Sequence, residues 1–193
     1  MTLTTRLVLE PIDFAPVTID AIFALQSDPE TWTHLPDGVE TDVSQSRTMA
    51  EDHARSWRGF GLGWWLVRLR APLPGVSSDE IVGVGGAARR HPEIAAWNLG
   101  YRLSPRVWGH GFAAEISRAA LASTQSTDPT VPVTARALTR NPASWHTLER
   151  AGLSLRWEGT DPADSALASG LQRRVYADRE LDPALLNQLI ALG

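Results

Sequence analysis

The chain has 193 residues, 43% hydrophobic and 21% charged; this fits one globular domain over residues 1–193 and excludes the composition of a disordered chain. A formal net charge of −4 without a dense Lys/Arg run excludes a broad nucleic-acid face, and the absence of cysteine excludes disulfides, thiolate metal sites and a cysteine nucleophile. No apolar stretch reaches the roughly 18–20 residues of a bilayer span and residues 1–10 lack a leader pattern, so no membrane partner and a cytoplasmic location are expected.

Residues 6–10 alternate, with Leu7 and Leu9 on one face, and predict a first strand ended by Pro11. Asp13 is expected to cap a helix that carries Ile19, Ile22, Phe23 and Leu25 and stops at Asp28-Pro29. After a polar, irregular stretch over 31–44, a second helix is predicted over 45–57, broken by Gly59, Gly61 and Gly63. Residues 64–69 and 81–86 have strand character and form a hairpin across the turn-rich segment 71–79. A further strand at 97–103 is closed by Ser104-Pro105, and a helix follows at once. From Gly109 onward Phe112, Ile116, Ala119 and Ala120 keep helical spacing, with Glu115 near the positive helix end. A strand over 132–138 leads to Asn141-Pro142, a helix start with Asn as cap and Pro at the first helical position, matched by a stop at Ala151-Gly152. Strands near 154–158 and 173–180 and a short helix from Asp182-Pro183 through Leu189 and Ile190 close the chain.

The most informative stretch is Arg106-Val107-Trp108-Gly109-His110-Gly111-Phe112-Ala113, a glycine-bearing turn between a predicted strand and a predicted helix. Glycines allow positive φ and close backbone approach, and the first amides of a helix offer N–H donors at the positive dipole end, which together suit a pyrophosphate. The plainer reading is that Gly109 and Gly111 only make a tight connection. Arg106 is either a phosphate partner or a solvated surface charge, and the backbone is expected to contribute more than its side chain. Neither the three-glycine dinucleotide fingerprint nor the Gly-Lys-Ser/Thr ending of a P-loop is present.

In this position R-x-x-G-x-G-x-A resembles the acetyl-CoA pyrophosphate loop of the GCN5-related N-acetyltransferases (GNAT). Thr5-Arg6-Leu7-Val8-Leu9, Ser27-Asp28-Pro29-Glu30, Leu99-Gly100-Tyr101-Arg102-Leu103-Ser104-Pro105, and Asn141-x-x-Ser144 before Leu148-x-x-Ala151-Gly152-Leu153 are similar to the ribosomal-protein N-acetyltransferase branch. The resemblance implies an α+β fold: a mixed, mostly antiparallel central sheet with splayed central strands, flanked by helices. It implies acetyl-CoA as co-substrate, and a pantetheine arm between the splayed strands. A backbone N–H on the strand ending at Leu103 would donate to the thioester oxygen. The turn from Arg106 through Val107, Trp108, Gly109, His110, Gly111 and Phe112 to Ala113 would hold the pyrophosphate. The stretches 31–63 and 161–172 match no family motif and are expected to shape the acceptor site.

Direct transfer of an acetyl group to a primary amine, of a peptide or protein N-terminus or of a small molecule, needs no cysteine. Asn141 is a helix cap, a cofactor contact, or both, and Ser144 resembles the hydroxyl that the family places near the CoA sulfur. His91 and Glu93 are candidates for the general base or else surface-loop residues. Asn98 stands where related enzymes often carry a carboxylate, which points to a water relay or to another acid. His110 reads as a partly exposed loop residue; His34, His53 and His146 lack metal-ligand spacing, so no metal is expected. Eight tryptophans suit core and cleft-wall packing, with Trp32, Trp57 and Trp64 placed to wall an acceptor pocket. A non-catalytic acyl-CoA sensor stays open as the alternative, and a homodimer is compatible with the resemblance without being established by these residues.

Overall fold

The computed structural model describes residues 1–91, 93–160 and 170–192. Its strands are β1 (Thr2–Leu3), β2 (Leu7–Pro11), β3 (Trp64–Leu69), β4 (Gly83–Ala88), β5 (Trp97–Leu103), β6 (Val133–Leu138), β7 (Ser154–Thr160) and β8 (Gln172–Ala177). They form one sheet in the order β1-β2-β3-β4-β5-β6-β8-β7, antiparallel throughout except for the parallel pair β5–β6. The expected mixed, mostly antiparallel sheet is therefore present, and helices cover both of its faces.

Strand alternation decides which helices go where. One set of inward residues, Trp65, Val67, Leu69, Leu99 and Leu103, packs with Phe112, Ile116 and Ala120 of α3 (Phe112–Thr127) and Leu148 of α4 (Pro142–Arg150). The alternate residues Leu66 and Val84 pack with Ile19, Ile22 and Leu25 of α1 (Pro16–Gln26) and Ala50 of α2 (Val43–Phe60). Over β8, Leu189 of α5 (Pro183–Ala191) packs against Val175, which is opposite Arg136 in register and so shares the α1/α2 face.

Local chemistry explains where boundaries depart from the sequence pattern. Asp13 is not the cap of α1: Ala15 occupies that position, because Pro16 needs no amide partner at the first helical position and holds the preceding residue extended, at φ −60° and ψ 139°. Asp13 instead steadies the lead-in, its Oδ1 accepting from Ala15 N at 3.0 Å and Thr18 Oγ1 at 2.6 Å. The second helix is longer than expected. Asp42 and Gln45 form a capping box at its start, and it ends only at Gly61, which has φ 74°, while Gly59 is tolerated in the last turn. Strand β4 lies two residues later than its apolar run, because Ala87 and Ala88 pair with Leu99 and Asn98. Strand β8 stops at Ala177, since the carboxylate of Asp178 accepts from Val133 N at 3.0 Å and ends the ladder. The two-residue β1 was too short to show a period. Most of the 161–172 stretch expected to shape the acceptor site lies outside the described residues.

Candidate active site

The sheet forks at its centre. Only Trp97↔Val133 and Asn98↔Thr134 pair across β5 and β6, although β5 runs on to Leu103 and β6 to Leu138. Beyond Asn98 the two strands splay, and β5 presents an unpaired edge toward β6. Trp97 N donates to Pro132 O on the β6 side, whereas Ser104 N donates to Val82 O on the β4 side. With a period of two, the N–H groups of Leu99, Tyr101 and Leu103 then project into the fork. This is an open strand edge able to pair with the amides of an extended ligand.

At the open end of the fork stands the glycine turn. Pro105–Val107 makes a 3-10 turn capped by Ser104, and the Trp108 indole donates to Leu103 O at 2.9 Å, tying the turn to the end of β5. Gly109 (φ 80°) and Gly111 (φ 75°) are both left-handed, a conformation that costs other L-residues roughly 1–2 kcal/mol each. Gly111 is the N-cap of α3. No acceptor among the described residues faces the amides of residues 109–114, so a short arc of N–H donors coincides with the positive end of a 16-residue helix. That arrangement fits pyrophosphate oxygens.

Two side chains fix the turn, and sequence reasoning found only one of them. Glu115, 7% exposed, accepts from Thr4 Oγ1 (2.6 Å), Arg6 N (2.8 Å) and Arg6 Nε (2.8 Å), while Arg6 Nη1 donates to His110 O at 2.8 Å. Burial alone would raise the Glu115 pKa; hydrogen bonds from Thr4 and Arg6 and the guanidinium charge outweigh it and hold the carboxyl below its ordinary value. The clasp joins positions 109 apart, so only the acid in a helix first turn was visible locally. Arg106 points elsewhere: it ion-pairs with Glu80 at 2.6 Å and hydrogen-bonds Gly75 O, leaving the backbone as the phosphate-facing part of the turn. His110 is exposed and stacks on Phe112 at 5.6 Å.

Across the fork, Asn141 and Ser144 stand together at the start of α4. Asn141 is its N-cap, Oδ1 accepting from Ser144 N at 3.2 Å. Tyr101 of β5 donates its hydroxyl to Ser144 O at 3.5 Å, so the first turn of α4 is level with the last residues of β5. His91 and Glu93 are at the other end. His91 Nδ1 is 3.5 Å from Glu93 Oε1, and both side chains are substantially exposed. His91, Asn98, Arg90, Thr134 and Arg136 line a cavity of about 20 Å³, room for a single water with several polar partners; Glu93 is not in its wall. The structure thus separates the four candidates into two pairs, about three residues of strand apart along β5, or roughly 10 Å. Among the described residues there is no cluster of His, Cys, Asp and Glu able to hold a metal, and no helix is long and apolar enough to cross a membrane. A groove of about 780 Å³ runs along α3 past Arg6, Trp57, Trp65 and Arg118, and no residue of β5 or β6 lines it.

The same architecture recurs in solved structures. An acetyltransferase from Agrobacterium tumefaciens superposes with a TM-score of 0.69 at 21% identity, over 93% of this chain and 94% of its own. An acetyl transferase that modifies the N-terminal serine of a 50S ribosomal subunit protein in Salmonella typhimurium gives 0.65 at 20%, over 93% and 97%. RimL, a ribosomal-protein alpha-N-acetyltransferase in complex with coenzyme A, gives 0.64 at 18%, over 94% and 97%. No curated protein matches the chain in sequence. The family model of the acetyltransferase (GNAT) domain matches residues 6–154, and the chain belongs to the GNAT acetyltransferase family.

Proposed function

We propose that the protein is a single-domain N-acetyltransferase that moves an acetyl group from acetyl-CoA directly to a primary amine in the cytoplasm. The observation that carries this is the arc of amides at residues 109–114 that have no acceptor among the described residues, placed at the open end of a strand fork where β5 beyond Asn98 does not pair with β6. The amides of Gly109, His110, Gly111, Phe112 and Ala113 would hold the pyrophosphate, and the β5 edge would align the pantetheine arm. The N–H of Leu103 or of its neighbours Tyr101 and Leu99 would receive the charge that develops on the thioester oxygen. Acetyl-CoA supplies the activated acyl group; the protein's contribution is placement, dryness and proton management. Ser144 and Asn141 at the start of α4 are assigned to the sulfur side, with the Ser144 hydroxyl hydrogen-bonding the departing thiolate. His91, through the small cavity at Asn98, is assigned the proton released by the amine, and Glu93 acts only through His91. The coenzyme A complex of RimL supports the choice of co-substrate.

A second reading, a non-catalytic acyl-CoA sensor, is favoured by one feature: among the described residues no carboxylate lines the Asn98 cavity. Thiol release from acetyl-CoA across a panel of amines separates the two. Amine-dependent release that falls at least about tenfold in Ser144→Ala and His91→Ala supports the transferase; tight acetyl-CoA binding with no amine-dependent release supports the sensor.

A further inference from the structure

We propose that the acceptor amine carries an oxyanion, a carboxylate or phosphate, which Arg102 and Arg140 grip at the open end of the fork. This rests on the acetyltransferase reading and deepens it. Arg102 alternates with Tyr101 and Leu103 on β5, so its side chain leaves on the α1/α2 face, where the 3-10 segment Pro29–Trp32 crosses above it. Its guanidinium lies 3.5 Å from the centre of the Trp32 ring. One terminal nitrogen donates to Thr31 O at 2.6 Å and Thr31 Oγ1 at 3.1 Å. Trp32 is held in place: its indole N–H donates to Gln26 O at 2.6 Å, and its ring packs so closely on Gly38 that a Cβ there would lie 2.4 Å from it. The guanidinium is therefore pinned flat, while its Nε–H and second terminal nitrogen have no acceptor among the described residues.

The second cation comes from the other tine of the fork. Arg140 lies two residues beyond the end of β6, precedes Asn141, and donates Nε–H to His34 O. Thr31 thus holds the β5 tine and His34 the β6 tine, and the short segment between them bridges the fork mouth, which suits a small amine. His34 is kept neutral by burial and then by the charges of Arg102 and Arg140. Burial pulls the Arg102 pKa down to about 10, and Glu40, the carboxylate that acts on it, only partly offsets this; Glu40 itself accepts from the Ser46 hydroxyl and makes no ion pair with Arg102 among the described residues. At neutral pH Arg102 stays cationic, half-buried and incompletely compensated, a state that a bidentate oxyanion relieves. Such a pair of cations at one mouth of a chain with net charge −4 is a local feature, and it sits beside Asn141 and Ser144.

The test uses the full chain loaded with coenzyme A. Arginine Nε–H resonances are followed by NMR while inorganic phosphate and, separately, acetate are added, with Arg102→Gln and Arg140→Gln as assignment controls. Saturable shifts of the Arg102 and Arg140 signals in the millimolar range, with the Arg140 response weakened in Arg102→Gln, are expected; signals unmoved by both anions overturn the proposal. Matched amines supply the second readout: alanine against alaninamide, and phosphoethanolamine against ethanolamine. A preference of at least about tenfold for the anionic member of one pair, reduced to about threefold or less in Arg102→Gln and Arg140→Gln, supports the proposal and tells carboxylate from phosphate. Preference for neutral members, or a neutral-ended peptide acting better than either anionic amine, overturns it. If coenzyme A does not bind, the transferase reading fails on its own account; the anion titration of the unloaded chain still decides the site.

Discussion

His53 makes acid stability a sharp test of the α2–sheet packing. It is 1% exposed on α2, stacks on Trp64 at 4.5 Å with an interplanar angle of 14°, and its Nδ1 has no hydrogen-bond partner among the described residues. Burial, then the charge of Arg90, lowers its pKa to about 3. An unfolded chain would bind this proton near the ordinary value of about 6.5, so below that pH the unfolded state takes up a proton the folded state refuses, and stability falls as pH drops. Between pH 7.5 and 5.0 the cost is about 2 kcal/mol, from roughly 1.5 pH units at about 1.4 kcal/mol each. Urea unfolding at the two pH values should show this loss in the wild type and about 2 kcal/mol less of it in His53→Phe, which keeps a stacked ring that cannot protonate. The larger ring shifts both stabilities through packing, so the pH-dependent difference is the readout. Equal losses in wild type and variant would refute the reasoning.

The Arg6–Glu115 clasp should couple the N-terminal segment to the turn. Glu115→Gln removes the charge that pairs with Arg6 and leaves one acceptor oxygen in place of two, and should cost about 1–3 kcal/mol, discounted for the partial exposure of Arg6, or roughly 3–10 °C in Tm by calorimetry. Wild-type stability above pH 5 should be insensitive to this carboxyl; its contribution should be lost only as pH falls through a value below the ordinary carboxylate range, because the folded pKa is depressed. Asn141→Ala should lose about 1 kcal/mol by removing the α4 cap, and Asn141→Ser should restore stability. If Asn141 also contacts the cofactor, the serine variant keeps a raised KM for acetyl-CoA, and full recovery of KM would leave Asn141 a cap alone. Gly38→Ala should displace Trp32 and loosen the segment over Arg102, seen as altered tryptophan fluorescence together with a lower Tm.

Features set by neighbours in sequence were legible. Asn141-Pro142 fixed the start of α4, Gly109 and Gly111 marked the turn, and the strand character of residues 64–69 and 97–103 located β3 and β5 to the residue. Errors came where tertiary pairing competes with local pattern: Ala87 and Ala88 extend β4 because Leu99 and Asn98 wait opposite, and Asp178 ends β8 by bonding Val133 on another strand. The site divides the same way. The turn and Ser144 could be named from local motifs. The Arg6–Glu115 clasp, at a separation of 109, and the meeting of Thr31 with Arg102, at 71, could not, since no local period encodes a contact made only when the sheet closes.

Acetyl-CoA binding measured by calorimetry on the wild type and on the double variant Gly109→Val, Gly111→Val tests the central claim most directly. The double variant places β-branched side chains at two left-handed positions and crowds the amide arc, and its fold is checked by circular dichroism. Binding in the micromolar range by the wild type, lost in a folded double variant, is the predicted result. Wild-type protein that does not bind acetyl-CoA, or a folded double variant that binds equally well, would contradict the assignment of residues 109–114 as the pyrophosphate site.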